Sequence, residues 1–302
     1  MRPKSSFPAD SAAIVVISPH FDDGVLSCGQ LLASYPGSIV VTALAGRPSS
    51  YGKLTAWDAA AGFQAGDDVV AARRAEDQAA LAALGARPVW LDFCDEQYGH
   101  SPTLEMLAGG LARAIRETKG RVVFAPLGLS HPDHKRTNAA VSTLIWSLPD
   151  LDWFAYEDAI YRCSSHALRA RLKALSRVGI DAVRAGSSSN HGLAEKRQAI
   201  QLYPSQIRAL CAPGHPGYHD ALKPERYWRL STRLDRNVPV EPRQDLEALA
   251  PAFRALGEPD PPTRRQRWIA RLPSPVRTAL SGSLQIARLR TLRGWSDRYA
   301  RN

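Results

Sequence analysis

The feature that most constrains the fold is a set of short apolar runs that alternate with stretches of helical spacing. The runs are rich in β-branched residues, as strands buried on both faces are. They span residues 13–18, 38–45, 88–93, 121–127 and 153–161. Two of the intervening stretches, 69–84 and 104–118, have the spacing of amphipathic helices. This alternation predicts an α/β fold of three layers, with a mostly parallel central sheet covered by helices on both faces.

Polar clusters follow two of the predicted strands. Segment 19–23 (P-H-F-D-D) follows the first run, and segment 130–134 (S-H-P-D-H) follows the fourth. Each cluster alone can be explained as a polar turn whose Asp caps the next helix. In parallel sheets, however, ligands bind beyond the carboxyl ends of the strands, and imidazoles with carboxylates are typical zinc ligands. Two such clusters in one sheet therefore favour a metal site. No glycine-rich phosphate-binding motif follows any predicted strand.

These motifs resemble those of the LmbE-like or PIG-L deacetylases, the family of N-acetylglucosaminyl-phosphatidylinositol deacetylase. Segments 19–23 and 131–134 match the family's A/P-H-P-D-D and H-P-D-H. Further matches are 73–85 (R-x-x-E-x-x-x-A-x-x-x-L-G), 156–158 (Y-E-D) and 196–206 (K-x-x-A-x-x-x-Y-x-S-Q). The resemblance covers roughly residues 13–210 and implies a Rossmann-like fold. The chain departs from the family at Phe21, usually Pro, and at Gly24, usually Glu or Ala.

The resemblance implies a catalytic metal centre. His20, Asp23 and His134 would hold the metal, and Asp22 would be the general base. Two imidazoles and a carboxylate suit Zn²⁺, and they also suit Fe²⁺ or another divalent metal. Such a metal polarises an amide carbonyl and lowers the pKa of water, which Asp22 can then deprotonate.

Two further residues of the second cluster have implied roles at the reacting bond. His131 would lie beside the carbonyl and, if protonated, would stabilise the oxyanion or donate to the leaving amine. Asp133 would orient a neighbouring imidazole. Together with Asp22, these residues form the expected catalytic set.

Arg73 and Asp95 are the best matches to the family's contacts with substrate hydroxyls. Arg74 is a rival to Arg73 because the two are adjacent. A simpler explanation pairs Arg73 with Glu76 as a surface ion pair on a helix, since the two are three residues apart.

Other polar residues keep simpler explanations. Glu157 and Asp158 at the end of an apolar run would bind substrate or satisfy backbone donors. His215 and His219 flank Pro and Gly in a predicted turn, which favours a structural role or a substrate contact over metal ligation.

The charge of the chain is concentrated at its carboxyl end. After residue 232 several prolines predict a linker or cap at 236–262, which separates a deacetylase domain at 1–235 from a basic tail at 263–302. The tail holds ten arginines against one acid, Asp297, so +9 of the net +10 lies there. The body is therefore almost neutral, which argues against nucleic acid as a partner. A weak membrane-surface contact through the tail stays open.

The leading hypothesis is a deacetylase of an amino sugar or a sugar-containing small molecule. An amidase that releases a larger acyl group, or acts on a thiol conjugate, would use the same site. A hypothesis of another class is a binding protein whose tail engages anionic membrane or nucleic acid.

The four cysteines are far apart and form no C-x-x-C pair, which favours free thiols in the cytoplasm. The apolar run near the N-terminus is too short for a signal peptide or a membrane span.

Overall fold

The computed structural model describes residues 14–51, 53–162, 164–188, 190–232 and 242–258. Its described strands are β1 Ile14–Ser18, β2 Ile39–Thr42, β3 Arg87–Trp90, β4 Val122–Pro126, β5 Asp152–Tyr156, β6 Ile180–Ser187 and β7 Arg226–Thr232. They form one sheet in the order β3-β2-β1-β4-β5-β7-β6. Strands β1 to β5 are parallel, and β7 is antiparallel to both β5 and β6. The predicted α/β fold with a mostly parallel sheet is confirmed.

Helices cover both faces of this sheet. They are α1 Asp23–Ser34, α2 Ala56–Ala61, α3 Val69–Ala83, α4 Leu104–Thr118, α5 Pro132–Ser147, α6 Ser165–Arg177, α7 Leu193–Gln201, α8 Pro204–Cys211 and α9 Pro242–Gly257. Helices α1, α3, α7 and α8 pack on one face, and α4, α5, α6 and α9 pack on the other. Two short 3₁₀ turns span Glu96–Tyr98 and His219–Leu222. No helix in the described ranges is long and apolar enough to cross a membrane.

Burial on both faces explains why the central strands are apolar throughout. In β1, Val15 and Ile17 belong to one core cluster, and Ile14 and Val16 belong to the other. Side chains of a strand alternate between the two faces, so a strand covered on both has few polar positions, such as Ser18 at the end of β1. The same continuous pattern made the five predicted strands visible in the sequence.

The five predicted runs all form strands, with shorter bounds, whereas β6 and β7 were not predicted. The fifth run was predicted to reach residue 161, but β5 ends at Tyr156. The chain turns there because the Asp158 carboxylate accepts hydrogen bonds from the backbone of Gly128 and Leu129, both at 2.9 Å. Strand β6 lies at the edge of the sheet and alternates polar and partly exposed positions, with Val183 57% exposed. It therefore lacks the continuous apolar run that marks a buried strand.

The strand order brings the two polar clusters side by side. Strand β1 pairs with β2 on one side and with β4 on the other, in register Val16 to Phe124. The chain therefore reverses its direction of travel across the sheet between β1 and β4. At such a switch point the loops after the two strands diverge and leave a crevice for a ligand. Segments 19–23 and 130–134 line this crevice.

Helix α9 lies within the segment that the sequence predicts as a linker or cap. It packs against α5, and its Phe253 and Leu256 are 1% and 4% exposed in the shared core. Arg171 Nη1 also donates to the carbonyl oxygen of Leu256 at 2.6 Å. This helix is thus part of the packed body. The predicted basic tail at 263–302 lies outside the described residues.

We expect Phe253→Ala to lower the free energy of unfolding by about 3–5 kcal/mol, the usual loss when a buried aromatic side chain leaves a cavity. Urea unfolding measures this loss. Arg254→Ala is the matched control on the same helix, because its side chain is 57% exposed, and it should change stability by less than about 0.5 kcal/mol. Equal unfolding midpoints for Phe253→Ala and the wild type would contradict the packing of α9 on α5.

Candidate metal centre and active site

The loop after β1 brings the first cluster into a closed turn. Ser18 Oγ accepts a hydrogen bond from the backbone N–H of Gly24 at 2.8 Å. The backbone N–H of His20 donates to Asp23 Oδ2 at 2.9 Å. Asp22 is the N-cap of α1 and Asp23 is its first residue. A Cβ on Gly24 would lie 3.3 Å from Ser18 Oγ, so this turn leaves little room for the larger residues usual in the family.

The second cluster starts helix α5. His131 is the N-cap, and its Nδ1 accepts from the backbone N–H of Asp133 at 3.2 Å. Asp133 is fully buried, and its Oδ2 lies 3.2 Å from His20 Nε2. Arg136 Nη1 donates to the other oxygen of Asp133 at 2.7 Å. The imidazole that Asp133 contacts is therefore that of His20, in the other cluster.

The three predicted metal ligands, His20, Asp23 and His134, meet at one oxygen atom of Asp23. Asp23 Oδ2 lies 3.0 Å from His20 Nδ1 and 3.1 Å from His134 Nε2. One ligand atom from each residue falls within a 4.8 Å cluster, and all three residues are buried. Two imidazole nitrogens and one carboxylate oxygen fit a zinc-type metal that keeps a position open for water or substrate. His20, His131 and Asp133 form a second described cluster of this size, but Arg136 already neutralises its carboxylate.

The carboxylates around this centre favour a bound cation. Burial alone would lower the pKa of His20, but Asp95 and hydrogen bonds to Asp133 and Asp23 raise it well above its usual value. Burial would also lower the pKa of His134, but Asp23 and a hydrogen bond to Asp158 raise it to about 9. Carboxylates thus outweigh the cost of holding positive charge in this buried place. A divalent metal between the imidazoles would supply that charge, which supports the fit.

Asp158 was not predicted as a site residue, yet it contacts His134, a predicted metal ligand. Its Oδ1 lies 2.6 Å from His134 Nδ1, and its Oδ2 accepts from two backbone N–H groups after β4. One of the two sequence explanations, that Asp158 satisfies backbone donors, is confirmed. Its contact with His134 joins residues 24 positions apart. In the sequence, Glu157 and Asp158 are recognisable only as a polar pair at the end of a strand. That pattern does not show that Asp158 contacts His134.

Asp22, the predicted general base, lies next to the predicted ligand Asp23. Asp22 is 7% exposed, and its Oδ1 lies 3.8 Å from Arg73 Nη2. Burial and the neighbouring Asp23 raise the pKa of Asp22 to about 6, although Arg73 and His20 act in the opposite direction. Asp22 therefore has the higher proton affinity of two adjacent carboxylates, since imidazoles hold the pKa of Asp23 well below its usual value despite burial.

The structure brings Arg73, and not Arg74, to the centre. Arg73 is 5% exposed, and its guanidinium lies 5.3 Å above the Phe21 ring and 3.9 Å from Asp95 Oδ2. Arg74 instead donates to the carbonyl of Ala45 at 2.8 Å. The predicted surface ion pair between Arg73 and Glu76 is wrong. Arg73 is buried, and Glu76 instead accepts hydrogen bonds from Ser205.

The His131 ring lies beside the rings of His20 and His134, at centroid distances of 5.2 Å and 5.1 Å. Burial, with His20 and His134 nearby, lowers the pKa of His131 to about 4, so the ring is uncharged at neutral pH. Because Nδ1 accepts from the Asp133 backbone, the ring hydrogen belongs on Nε2. The predicted role of His131 at the reacting carbonyl stays a prediction, and this geometry offers a neutral N–H group for it.

His215 and His219 belong to no candidate metal cluster in the described part of the chain. The His215 ring packs edge-on against Trp57 at a centroid distance of 5.4 Å. His219 stacks on Tyr218 at 5.3 Å. These contacts agree with the structural role that the sequence favoured.

Comparison with known proteins supports the family resemblance. Residues 15–145 match the family model described as PIG-L: GlcNAc-PI de-N-acetylase. This match confirms the resemblance over that range and supports the identification of the chain as an enzyme of the deacetylase type. No curated protein sequence is a significant match.

Solved structures of similar shape share the fold. A triple mutant of a deacetylase from the teicoplanin biosynthetic pathway is 23% identical, with a TM-score of 0.61 over 74% of this chain and 99% of that chain. The zinc-inhibited form of teicoplanin deacetylase is 23% identical, with a TM-score of 0.60 over 74% and 100%. The A40926 pseudoaglycone deacetylase is 23% identical, with a TM-score of 0.59 over 74% and 98%.

We expect Asp158→Asn to weaken metal binding by roughly 10- to 100-fold, the usual effect of removing a carboxylate that orients a ligating imidazole. Titration of the stripped protein with Zn²⁺ against a competing chelator measures the change. Glu157→Gln is the adjacent control, because Glu157 contacts Arg226 and Trp228 and not His134. Unchanged affinity in Asp158→Asn would show that His134 is not a ligand or needs no orientation.

Proposed function

We propose that the protein is a metal-dependent N-deacetylase that hydrolyses the N-acetyl group of an amino sugar or a sugar-containing small molecule. One observation carries this proposal. A single oxygen of Asp23 lies 3.0 Å from His20 Nδ1 and 3.1 Å from His134 Nε2, and a second buried carboxylate, Asp22, stands beside it. The match to a deacetylase family model supports it.

His20, Asp23 and His134 would hold a divalent metal, Zn²⁺ or Fe²⁺ or another of similar preference. When bound, such a metal polarises the amide carbonyl and lowers the pKa of water from ~15.7 towards ~7. Asp133 and Asp158 fix the two imidazoles from behind, at 3.2 Å and 2.6 Å. A solved structure of similar fold is described as a zinc-inhibited form. Activity should therefore be assayed with other divalent metals as well as with Zn²⁺.

The chain's own groups move the proton. Asp22 takes a proton from water as the water oxygen bonds to the carbonyl carbon. His131 donates a hydrogen bond from Nε2–H to the carbonyl oxygen as negative charge develops there. When the C–N bond breaks, Asp22 returns the proton to the leaving nitrogen. The products are acetic acid and a free amine.

Arg73 and Asp95 supply complementary groups for sugar hydroxyls. Arg73 Nε has no hydrogen-bond partner among the described residues, and the Phe21 ring supports the guanidinium at 5.3 Å. The Asp95 side chain lies 3.8 Å from His20 Nε2, so it borders the metal centre. Hydroxyl groups both donate and accept, and a buried guanidinium next to a carboxylate therefore fits them.

We also propose that the enzyme works in the cytoplasm. The cysteines that the structure describes, Cys28, Cys94 and Cys211, are free thiols. Free thiols are typical of proteins in reducing compartments.

The test is amine release from a panel of N-acetyl sugars and glycosides, including glycopeptides because a solved relative is a complex with teicoplanin. The protein is stripped of metal and reconstituted with Zn²⁺ or Fe²⁺ in turn. We expect about one metal per chain, as one open site requires, and no activity with a chelator present. Matching N-butyryl substrates separate a deacetylase from an amidase of larger acyl groups. Full activity of the stripped protein would refute the metal-dependent mechanism.

We expect Asp22→Asn to keep the metal and to lose roughly 10²- to 10⁴-fold in turnover, because an amide cannot accept the water proton. Asp23→Asn is the internal comparison and should lose metal as well as activity. Metal analysis and steady-state rates on both variants decide the assignment. If Asp22→Asn loses its metal while Asp23→Asn retains it, the roles of the two carboxylates are exchanged.

A further inference from the structure

Helix α1, which starts at a proposed metal ligand, is kinked in its middle. Cys28 has non-helical backbone angles, φ −131° and ψ 15°. The first half of the helix carries Asp23, and the second half runs from Gly29 to Ser34. A kink interrupts the regular hydrogen bonds of a helix, so the backbone N–H groups just after it need other acceptors.

Glu225 supplies those acceptors. Its Oε1 accepts from the backbone N–H of Gln30 at 2.8 Å, and its Oε2 accepts from Leu31 at 3.1 Å. Tyr227 also donates its hydroxyl to Oε2. Glu225 is fully buried and lies 195 residues from Gln30 in sequence. It therefore caps the second half of α1 as an N-cap side chain would, from a distant part of the chain.

Lys196 balances this buried carboxylate. Its Nζ lies 2.6 Å from Glu225 Oε1, and the lysine is 0% exposed. The lysine stem packs on Gly29, where a Cβ would come within 2.6 Å of Lys196 Cγ. Lys196 opens the 196–206 motif, to which the proposed reaction assigns no chemistry. The charge of Glu225 can stay at the kink because this ammonium group pairs with it.

The first half of α1 is joined to the second metal ligand. Ser27 Oγ accepts from the backbone N–H of Ala159 at 3.0 Å. Ala159 follows Asp158, whose carboxylate contacts His134 at 2.6 Å. The direction of α1 before its kink therefore sets Asp23 relative to His134. A shift of this half-helix would separate the two ligands.

We propose that the Lys196–Glu225 ion pair is a positioning device for the metal centre, which fixes the kink of α1 and so places Asp23 between the two imidazoles. This inference rests on the proposed metal site. Neither residue belongs to the candidate metal clusters of the described residues. Tyr203 of the same motif supports the loop independently, because its hydroxyl donates to the carbonyl oxygen of Phe21 at 3.1 Å.

The test measures Zn²⁺ affinity of full-length protein by competition with a chelator, alongside urea unfolding of the metal-free protein. We expect Lys196→Met to bind Zn²⁺ roughly 10-fold or more weakly, within the range for groups that orient a ligand. Gly29→Ala keeps both charges but displaces Lys196, and it should weaken binding in the same direction. The Gly29→Ala variant provides the measurement if Lys196→Met does not fold.

The control is Leu175→Ala, which removes a fully buried side chain of α6 on the opposite face of the sheet. This variant should lose stability and keep its Zn²⁺ affinity. If Lys196→Met and Gly29→Ala lose stability but bind Zn²⁺ as the wild type does, the pair is only structural and the inference fails. Wild-type protein that binds no divalent metal would overturn the proposed function as well, so the two failures are distinguishable.

Discussion

The site depends on one buried carboxylate oxygen shared by two imidazoles. Asp23 Oδ2 lies 3.0 Å from His20 and 3.1 Å from His134, in segments that directly follow two different strands. Such a contact is possible only because β1 and β4 are neighbours in the sheet, where the chain reverses its direction of travel. Burial makes this arrangement costly without a cation, since Asp22, Asp23, Asp133 and Asp158 are all buried. The geometry and the charge therefore lead to the same expectation, a bound metal.

Each proposed ligand is oriented by a group that comes from elsewhere in the chain. Asp133 contacts the ring of His20, and Asp158 contacts the ring of His134. Glu225 and Lys196 hold the helix that begins with Asp23. An imidazole whose second nitrogen is bound to a carboxylate has a fixed ring orientation and a greater basicity. A metal centre built where strands end and helices begin thus obtains its rigidity from the sheet and the helices behind it.

The departure at Phe21 has a structural consequence. The ring is 2% exposed, packs edge-on against Trp90 at 6.5 Å, and lies under the guanidinium of Arg73. A proline would offer Arg73 no aromatic face. Cation–π contact holds a guanidinium in one place without using its N–H donors. Arg73 Nε has no hydrogen-bond partner among the described residues, which suits a residue proposed to bind sugar hydroxyls.

The sequence by itself determined the α/β class, the five parallel strands and the two His/Asp clusters, because continuous apolar runs and residue types are local signals. It did not reveal β6 and β7, whose partly exposed positions lack such a run. It also left Arg73 and Arg74 as rivals and gave no partner for Asp158 or Lys196. The tertiary structure decided these points. The helix face that meets the loop after β1, and hydrogen bonds between groups up to 195 residues apart, depend on how the elements pack. Long-range contacts leave no periodic trace in a sequence, and their geometry exists only in the folded chain.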